Sequence, residues 1–556
     1  MLPTSDSGAS DARGPKRTKA NPVAVATAAA IVVAIYLAHA VDYWPQINDD
    51  AFITFRYAKF LSLGRGPYFN VGEHVEGYTN TSMMLLMAGV EAVMGDARLL
   101  AAAKVTGIVG GLATLLFTAL LCRAWLRKID AMADHASVLA WVAPALVASQ
   151  SGFALNSTTG LETTLFSACI AGGLWLAQDA LDRDRWRGCG ALFGLAVLTR
   201  PEGLPVFVAV WTARLLGGDR RDAGLRRRLL LDATLVAGAV AVLLTFRWFA
   251  YDGELLPNTY YAKSGGMGGQ ITASAYLLGF VRKHLAYVGW LPALFVLATR
   301  QRALLRSVLP SLFVVGFGVA SIFLAGPDWM PGYRLLAPYI PAWAALSVLG
   351  VCVIFGERLT ARRTATTIAV CGVFVLTLYL WQSPARIKYH DDCRVRARGY
   401  TRGHAALGDW LRSRSKPGET VALMDIGIVG FRCIDLRILD VTGLTDRFIA
   451  KSPGGFLDKR FDPSYVFDRP PEYLVIALTG AVGRDIRDPG PLVAWSPVER
   501  RLAATPEFRS LYVQSRTAPD GAEPLEVLAA SIGALRVFEH DYPGRRYFLC
   551  VYARGT

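Results

Sequence analysis

Charge is what this sequence has least of: Asp, Glu, Lys and Arg make up 19% of its 556 residues, where soluble domains usually carry about 25%. With 53% hydrophobic residues and a mean hydropathy of +0.33, that scarcity excludes a disordered chain and argues against a purely soluble one. Cysteines are few as well. The eight present include no Cys-x-x-Cys pair and no Cys/His cluster at zinc spacing, which excludes a metal finger and a dense disulfide scaffold. No internal repeat of solenoid period is evident. The charge that is present leans positive, 59 Lys and Arg against 44 Asp and Glu for a formal +15. In a soluble protein this balance would suggest nucleic acid, whereas in a membrane protein it records orientation, and its placement decides between the two.

Residues 1–21 are polar, contain the basic run Arg17-Thr18-Lys19 and read as a disordered cytoplasmic tail. Pro22 to Val41 is uniformly apolar. Its length suits the ~20 residues that cross a bilayer and exceeds the h-region of about 7–15 residues in a cleaved signal peptide, so it reads as a retained anchor. Further apolar runs cover 98–122, 136–153, 161–178, 188–200, 203–217, 229–250, 284–299, 305–325, 335–356 and 364–381. Arginine-rich loops, such as Arg220/Arg221/Arg226/Arg227/Arg228 and Arg358/Arg362/Arg363, alternate with loops poor in basic residues. The positive-inside rule places the arginine-rich set and the N-terminus in the cytoplasm. Thr81 to Met94 is also apolar, but as a span it would reverse every later loop; it therefore reads as a juxtamembrane or re-entrant segment in a large outer loop, residues 42–97. The expectation is a polytopic α-helical membrane protein with about 11 spans over 22–381 and an extracytoplasmic α/β domain over 382–556. In that last region a helix is expected at Arg402–Ser413 and short strands near 421–424, 436–440, 473–476 and 547–552. Cys393, Cys433 and Cys550 would lie in an oxidising compartment, with room for one disulfide. With the positive charge accounted for by topology, no nucleic acid is expected as a partner.

The densest chemistry begins where the first span ends, at Asn48-Asp49-Asp50-Ala51-Phe52-Ile53-Thr54-Phe55-Arg56. Adjacent carboxylates at a membrane surface are costly to desolvate and are candidates for proton abstraction, metal binding or substrate orientation. The bland alternative is that Asp49 or Asp50 caps a short helix. The loop continues through Gly64-Arg65-Gly66-Pro67 to Asn70, Glu73, His74, Glu76, Tyr78 and Asn80, hydrogen-bonding groups beside aromatic surface, as sugar recognition requires. Taken singly, each of these is equally a solvated turn residue.

Asp49-Asp50 just after the first span, Arg56, the Gly64-x-Gly66 turn, Phe69-Asn70-x-Gly72-Glu73-x-Val75-Glu76 and Gly160-Leu161-Glu162 together resemble the membrane glycosyltransferases of the GT-C class. Among these, the mycobacterial terminal arabinofuranosyltransferases are the nearest pattern. The likeness of architecture covers nearly the whole chain, and the distinctive motifs lie in 48–80 and 156–164. Ala51-Phe52 and Gly77-Tyr78-Thr79-Asn80 depart from the pattern and leave the transferred sugar open. The resemblance implies transfer of a sugar, arabinofuranose or another, from a polyprenyl-phosphate donor to a cell-envelope glycan or lipid acceptor. The reaction would run among membrane lipids on the outer face of a bacterial inner membrane. It also implies catalytic roles for Asp49, which matches the assigned member of an Asp-Glu pair in related transferases, and for Asp50, which would orient the acceptor or a divalent metal. Sugar or acceptor contacts would fall to Arg56, Asn70, Glu73, Glu76, Tyr78 and Glu162.

A lipid phosphate needs compensating positive charge on the outer side. Arg200, between two short apolar segments that suggest a broken hairpin, Arg334 after Gly332-Tyr333, and Lys263 are the candidates, with Arg247 a weaker one; each is otherwise a snorkelling side chain. His390-Asp391-Asp392 reads as solvated linker rather than a metal site. No cofactor is required by the pattern. The competing reading is a transporter or lipid-linked-sugar flippase, which broken helices and intramembrane charges would also suit.

Overall fold

The computed structural model describes residues 21–264, 272–283, 294, 302–328, 330–356, 369, 372, 373, 375–377, 379–480, 485, 486 and 490–555. Six helices there are long and apolar enough to cross a membrane: Pro22–Asp42, Asp96–Leu126, Thr163–Asp182, Ala223–Ala250, Leu304–Leu324 and Ala337–Ile354. A seventh candidate is the pair Ala136–Ala148 and Ser151–Ser157, bent by 74°. The expected runs at 188–200 and 203–217 are the shorter helices Cys189–Thr199 and Gly203–Gly217, separated by Arg200 in extended conformation. The run at 284–299 falls almost wholly, that at 364–381 by half, and the tail 1–20 wholly outside the described residues. Thr81–Met94 is a 14-residue helix, one turn or more short of a bilayer.

Close packing in this bundle rests on small residues. A Cβ on Gly107 would meet the Ser157 carbonyl oxygen at 2.2 Å, and one on Gly110 the Leu165 nitrogen at 2.8 Å. Backbones therefore touch where lipid tails offer no hydrophobic drive to association.

The C-terminal region begins with helix Ser383–Tyr400, which passes through a π-turn at Thr401–Ala405 into Ala406–Arg414. The expected helix is therefore the end of a longer one, and His390-Asp391-Asp392 is helical rather than linker. Strands β1 (Thr420–Leu423), β2 (Arg437–Asp440), β3 (Tyr473–Gly480), β4 (Val493–Ala494), β5 (Arg536–Tyr542) and β6 (Arg545–Ala553) form one sheet in the order β2-β1-β3-β6-β5, with β4 on β3. β1 pairs in parallel with β2 and β3, and the remaining pairs are antiparallel. Helix Ile426–Arg432 connects β1 to β2, as a parallel pair requires a crossover. Cys393, Cys433 and Cys550 are each buried and free, so the disulfide allowed by the sequence is not formed.

The apolar core of this sheet domain does not stop at its boundary. Ile53, Tyr57, Phe69, Tyr78, Met84 and Tyr251 belong to the same buried cluster as Val421, Leu439, Ile476 and Phe548. The first outer loop and the C-terminal domain thus share a core.

Candidate functional site

Helix Asp49–Ser62 starts where the sequence offers three consecutive cap-competent residues, and Asn48 takes the cap, its side chain accepting from the Asp50 N–H at 3.1 Å. Neither aspartate caps this helix. Asp49 instead crosses to the C-terminal domain: its carboxylate accepts from the N–H groups of Gly427 (2.9 Å) and Ile428 (2.7 Å), at the start of helix Ile426–Arg432. An anion there is favoured by the exposed N–H groups and the positive end of the helix dipole. Burial pushes its pKa up to about 6, with His404 opposing and Asp425 reinforcing the rise.

Asp50 is only half-buried, and among the described residues no donor bonds its carboxylate. Burial raises its pKa; the charges of Lys263 and Arg334 oppose the rise, and those of Asp328 and Asp425 reinforce it. Two adjacent carboxylates therefore have opposite fates. One is held by backbone, and the other faces cations.

Arg334 and Arg200 converge on Glu162. Its carboxylate lies 3.2 Å from Arg334 and 3.4 Å from Arg200, and accepts from the Asn80 amide at 2.9 Å. Burial would raise the Glu162 pKa, but Arg334 and Arg200 outweigh it and hold the group below the usual carboxylate range. Glu202 binds Arg200 at 2.8 Å, and Asp328 lies 3.5 Å from Arg334. The three contacts of the Arg334 guanidinium are long, 3.2 to 3.5 Å, beyond the 2.7–2.9 Å of a strong charge-assisted bond. Lys263 is exposed, stands apart from this cluster, and places its ammonium 5.7 Å from the Phe456 ring centre.

The outer-loop residues expected at a sugar are engaged otherwise. Arg56 is fully buried and donates to the carbonyls of Phe69 (2.6 Å), Gly430, Cys433 (3.0 Å) and Leu436 (2.9 Å). It therefore neutralises the carbonyl end of the helix whose N–H end is held by Asp49. Asn70 pairs with both the N–H and the C=O of Ile438 at 2.9 Å, extending the edge of β2, and Glu73 binds Arg437 at 2.7 Å. Glu76 forms a buried ion pair with Arg247 at 2.7 Å, and burial lifts its pKa to about 7 against that partner. The Tyr78 hydroxyl bonds that of Tyr251 at 2.9 Å. These five side chains join the outer loop to the C-terminal domain and to helix Ala223–Ala250, with hydrogen-bond or ion-pair partners in the protein.

Sequence reasoning missed His404. It is 1% exposed in the π-turn and lies 3.0 Å from Asp425, whose carboxylate also accepts from Tyr547 at 2.6 Å. A one-residue π insertion leaves no apolar periodicity to detect, although Asp425 stands out as a carboxylate following a strand. Among the described residues no three His, Cys, Asp or Glu side chains converge as metal ligands.

Comparison with known proteins places this geometry. Residues 391–536 match a family described as a domain of unknown function (DUF8728). Over 396 residues the chain is 30% identical to the terminal β-(1→2)-arabinofuranosyltransferase of Mycobacterium tuberculosis, an alignment covering 63% of this chain and 60% of that protein. ArnT from Cupriavidus metallidurans bound to undecaprenyl phosphate superposes with a TM-score of 0.51 at 13% identity, covering 74% of this chain and 85% of that one. The apo oligosaccharyltransferase of Archaeoglobus fulgidus gives 0.52 at 12% identity over 95% and 88%. The chain thus has the fold of the GT-C membrane glycosyltransferases, multi-pass with a C-terminal sheet-containing domain. The transporter or flippase alternative draws no support from these matches.

Proposed function

We propose that the chain transfers a sugar from a polyprenyl-phosphate donor to a cell-envelope glycan or lipid acceptor on the outer face of a bacterial inner membrane, with its N-terminus cytoplasmic and its C-terminal domain outside. Arabinofuranose is the first sugar to test, because the M. tuberculosis relative is an arabinofuranosyltransferase. The observation that carries the reading is the Asp50 carboxylate at the start of helix Asp49–Ser62, which no donor bonds among the described residues, in this fold and within the field of Lys263 and Arg334. An acceptor hydroxyl is a weak nucleophile, so Asp50 would take its proton as the acceptor oxygen bonds to the anomeric carbon. The bond from that carbon to the phosphate oxygen breaks, and polyprenyl phosphate leaves with the electron pair. Arg334 would hold the phosphate, trading its long contacts to carboxylates for shorter bonds to phosphoryl oxygens, with Arg200 beside it through the shared Glu162. Asp49, its two oxygens already accepting, would hold the helix that carries Asp50 in place.

The test is a transfer assay with purified protein in lipid nanodiscs and a panel of polyprenyl-phosphate sugars, including decaprenyl-phosphoryl arabinofuranose, with an arabinan oligosaccharide as acceptor. Transfer from one donor is expected and identifies the sugar. No transfer or donor hydrolysis with any member of the panel would refute the assignment.

A further inference from the structure

A second basic feature lies outside the Glu162 cluster. Helix Asn258–Lys263 and the C-terminal domain's 450–459 loop enclose a cleft of about 430 Å³. It is lined by Tyr261, Ser264, Lys451, Ser452 and Lys459, with Gly454-Gly455 between them and no carboxylate. Lys459 is only 2% exposed. Its ammonium donates to the Tyr261 carbonyl at 2.9 Å and the Ser452 carbonyl at 3.2 Å, one on each wall. An ammonium has three N–H donors, so one is left over. Lys451 lies 2.5 Å from Glu254 at the rim, and the loop is held in a tight conformation with Gly454 at φ +104° and Leu457 at φ +67°. Among the described residues no protein acceptor is bonded to the N–H groups of Gly454 or Gly455. Close by, Leu255, Leu256 and Tyr260 are 44 to 58% exposed just beyond the end of span Ala223–Ala250. Exposed apolar and aromatic side chains at a span's end mark the bilayer boundary.

The unbonded N–H groups of Gly454 and Gly455 and the remaining N–H of Lys459 suit a phosphate, Lys451 can turn to it from Glu254 at the rim, and the apolar rim suits a lipid tail; the Ser264 and Ser452 hydroxyls already donate to the Tyr261 and Phe448 carbonyls. Charge separates the two phosphates of the proposed reaction. The donor is a phosphodiester with one negative charge, and the released carrier is a phosphomonoester with up to two. In the Arg200/Arg334 cluster three carboxylates accompany two guanidiniums, an environment that tolerates a monoanion better than a dianion. In the cleft one carboxylate, Glu254 at the rim, accompanies the two lysines Lys451 and Lys459, and compact ammonium charges in that less acidic setting favour the dianion. Lys263 stands between the two regions: its charge acts on Asp50, and its ammonium faces Phe456 of the cleft loop. Resting on the glycosyltransfer reading, we propose that this cleft is a separate site for a phosphomonoester lipid, receiving the spent polyprenyl phosphate in preference to the intact donor.

Binding is measured with the full chain in neutral-lipid nanodiscs, using polyprenyl phosphate, its methyl phosphodiester and phosphatidylglycerol. Wild type is expected to prefer the monoester, and Lys451→Gln is expected to reduce that preference by about tenfold or more. Lys459→Met should do the same, and the rim variant keeps the test valid if removing a buried lysine impairs folding. Equal binding of phosphatidylglycerol, or a monoester preference unchanged in Lys451→Gln, overturns the proposal. Monoester preference that depends on Lys451 in a protein that transfers no sugar would leave the cleft standing and refute only the enzymatic reading.

Discussion

Replacing Asp49 and Asp50 by Asn, one at a time, separates holding from chemistry. In Asp49→Asn, the amide oxygen can accept from only one of the Gly427 and Ile428 N–H groups, while its NH₂ opposes the other. Losing one bond to a charged group costs about 1.5–3 kcal/mol. Against this, the Asp49 pKa stands near 6 rather than 3.8 because of burial, so keeping it ionised at neutral pH costs about 3 kcal/mol. The amide removes that cost, and the two terms nearly cancel. Thermal stability of Asp49→Asn at pH 7 should therefore lie close to wild type, while hydrogen exchange at residues 427 and 428 accelerates. The sign of the pH dependence follows. A carboxylate with a raised folded-state pKa favours the folded state at low pH, and that contribution is lost as pH rises from about 4 through 6, so the variant should have a flatter Tm profile across that window. Turnover should fall modestly, through looser placement of the helix. Asp50→Asn loses no hydrogen bond and removes a carboxylate whose pKa burial raises, so it should leave exchange at 427 and 428 unchanged and stability at pH 7 no lower than wild type, while turnover falls by roughly 10²–10⁴. A collapse of turnover in Asp49→Asn with wild-type exchange, beside near-normal turnover in Asp50→Asn, would refute the division of roles.

Arg334→Ala should weaken donor binding by about 1.5–3 kcal/mol in a direct lipid-binding measurement, and unchanged affinity would remove Arg334 from the phosphate. Arg56→Ala leaves the carbonyls of Phe69, Cys433 and Leu436 without their donor. At about 1–3 kcal/mol for each buried unsatisfied group, it should make the C-terminal domain protease-sensitive, and Arg56→Lys should not rescue it because a point charge cannot span a fork of carbonyls. Glu76→Gln breaks a buried ion pair with Arg247 and should cost about 3–5 kcal/mol, largely recovered when Arg247→Met is added; a double variant no more stable than the single one would contradict the pairing. Gly427→Ala would place a Cβ 2.0 Å from the Asp49 backbone oxygen, so it should cost at least about 1–3 kcal/mol, and a wild-type Tm would deny the close helix contact.

The long apolar runs were legible because a span is a local property of about 20 residues. Strands β1, β2, β3 and β6 were legible for the same reason, as short β-branched and aromatic runs between turns. The site was legible only in location. Asn48, Asp49 and Asp50 all suit an N-cap, and what selects among them is helix Ile426–Arg432, some 378 residues away, which takes both Asp49 oxygens. Arg56 presents the same difficulty: three of its four carbonyl partners lie 374 to 380 residues along the chain. No periodicity within the loop records such pairings. The break at Arg200 was legible in the shortness of the apolar runs on either side, and the structure has it in extended conformation between Cys189–Thr199 and Gly203–Gly217.

Adjacent residues on a helix point about 100° apart, so Asp49 and Asp50 cannot both face the same neighbour. The rotation of helix Asp49–Ser62 about its axis therefore decides which carboxylate meets the cations, and two charges fix it. Asp49 is tied to the N–H end of helix Ile426–Arg432 and Arg56 to its carbonyl end. These residues are seven apart, two turns on one face, matching the polarity of a helix lying alongside in the same direction. A carboxylate at the carbonyl end or a guanidinium at the N–H end would be repelled, so the reversed arrangement is disfavoured electrostatically as well as sterically. The C-terminal domain thereby acts on the proposed chemistry through Asp49 and Arg56: it fixes the rotation of the helix that carries Asp50.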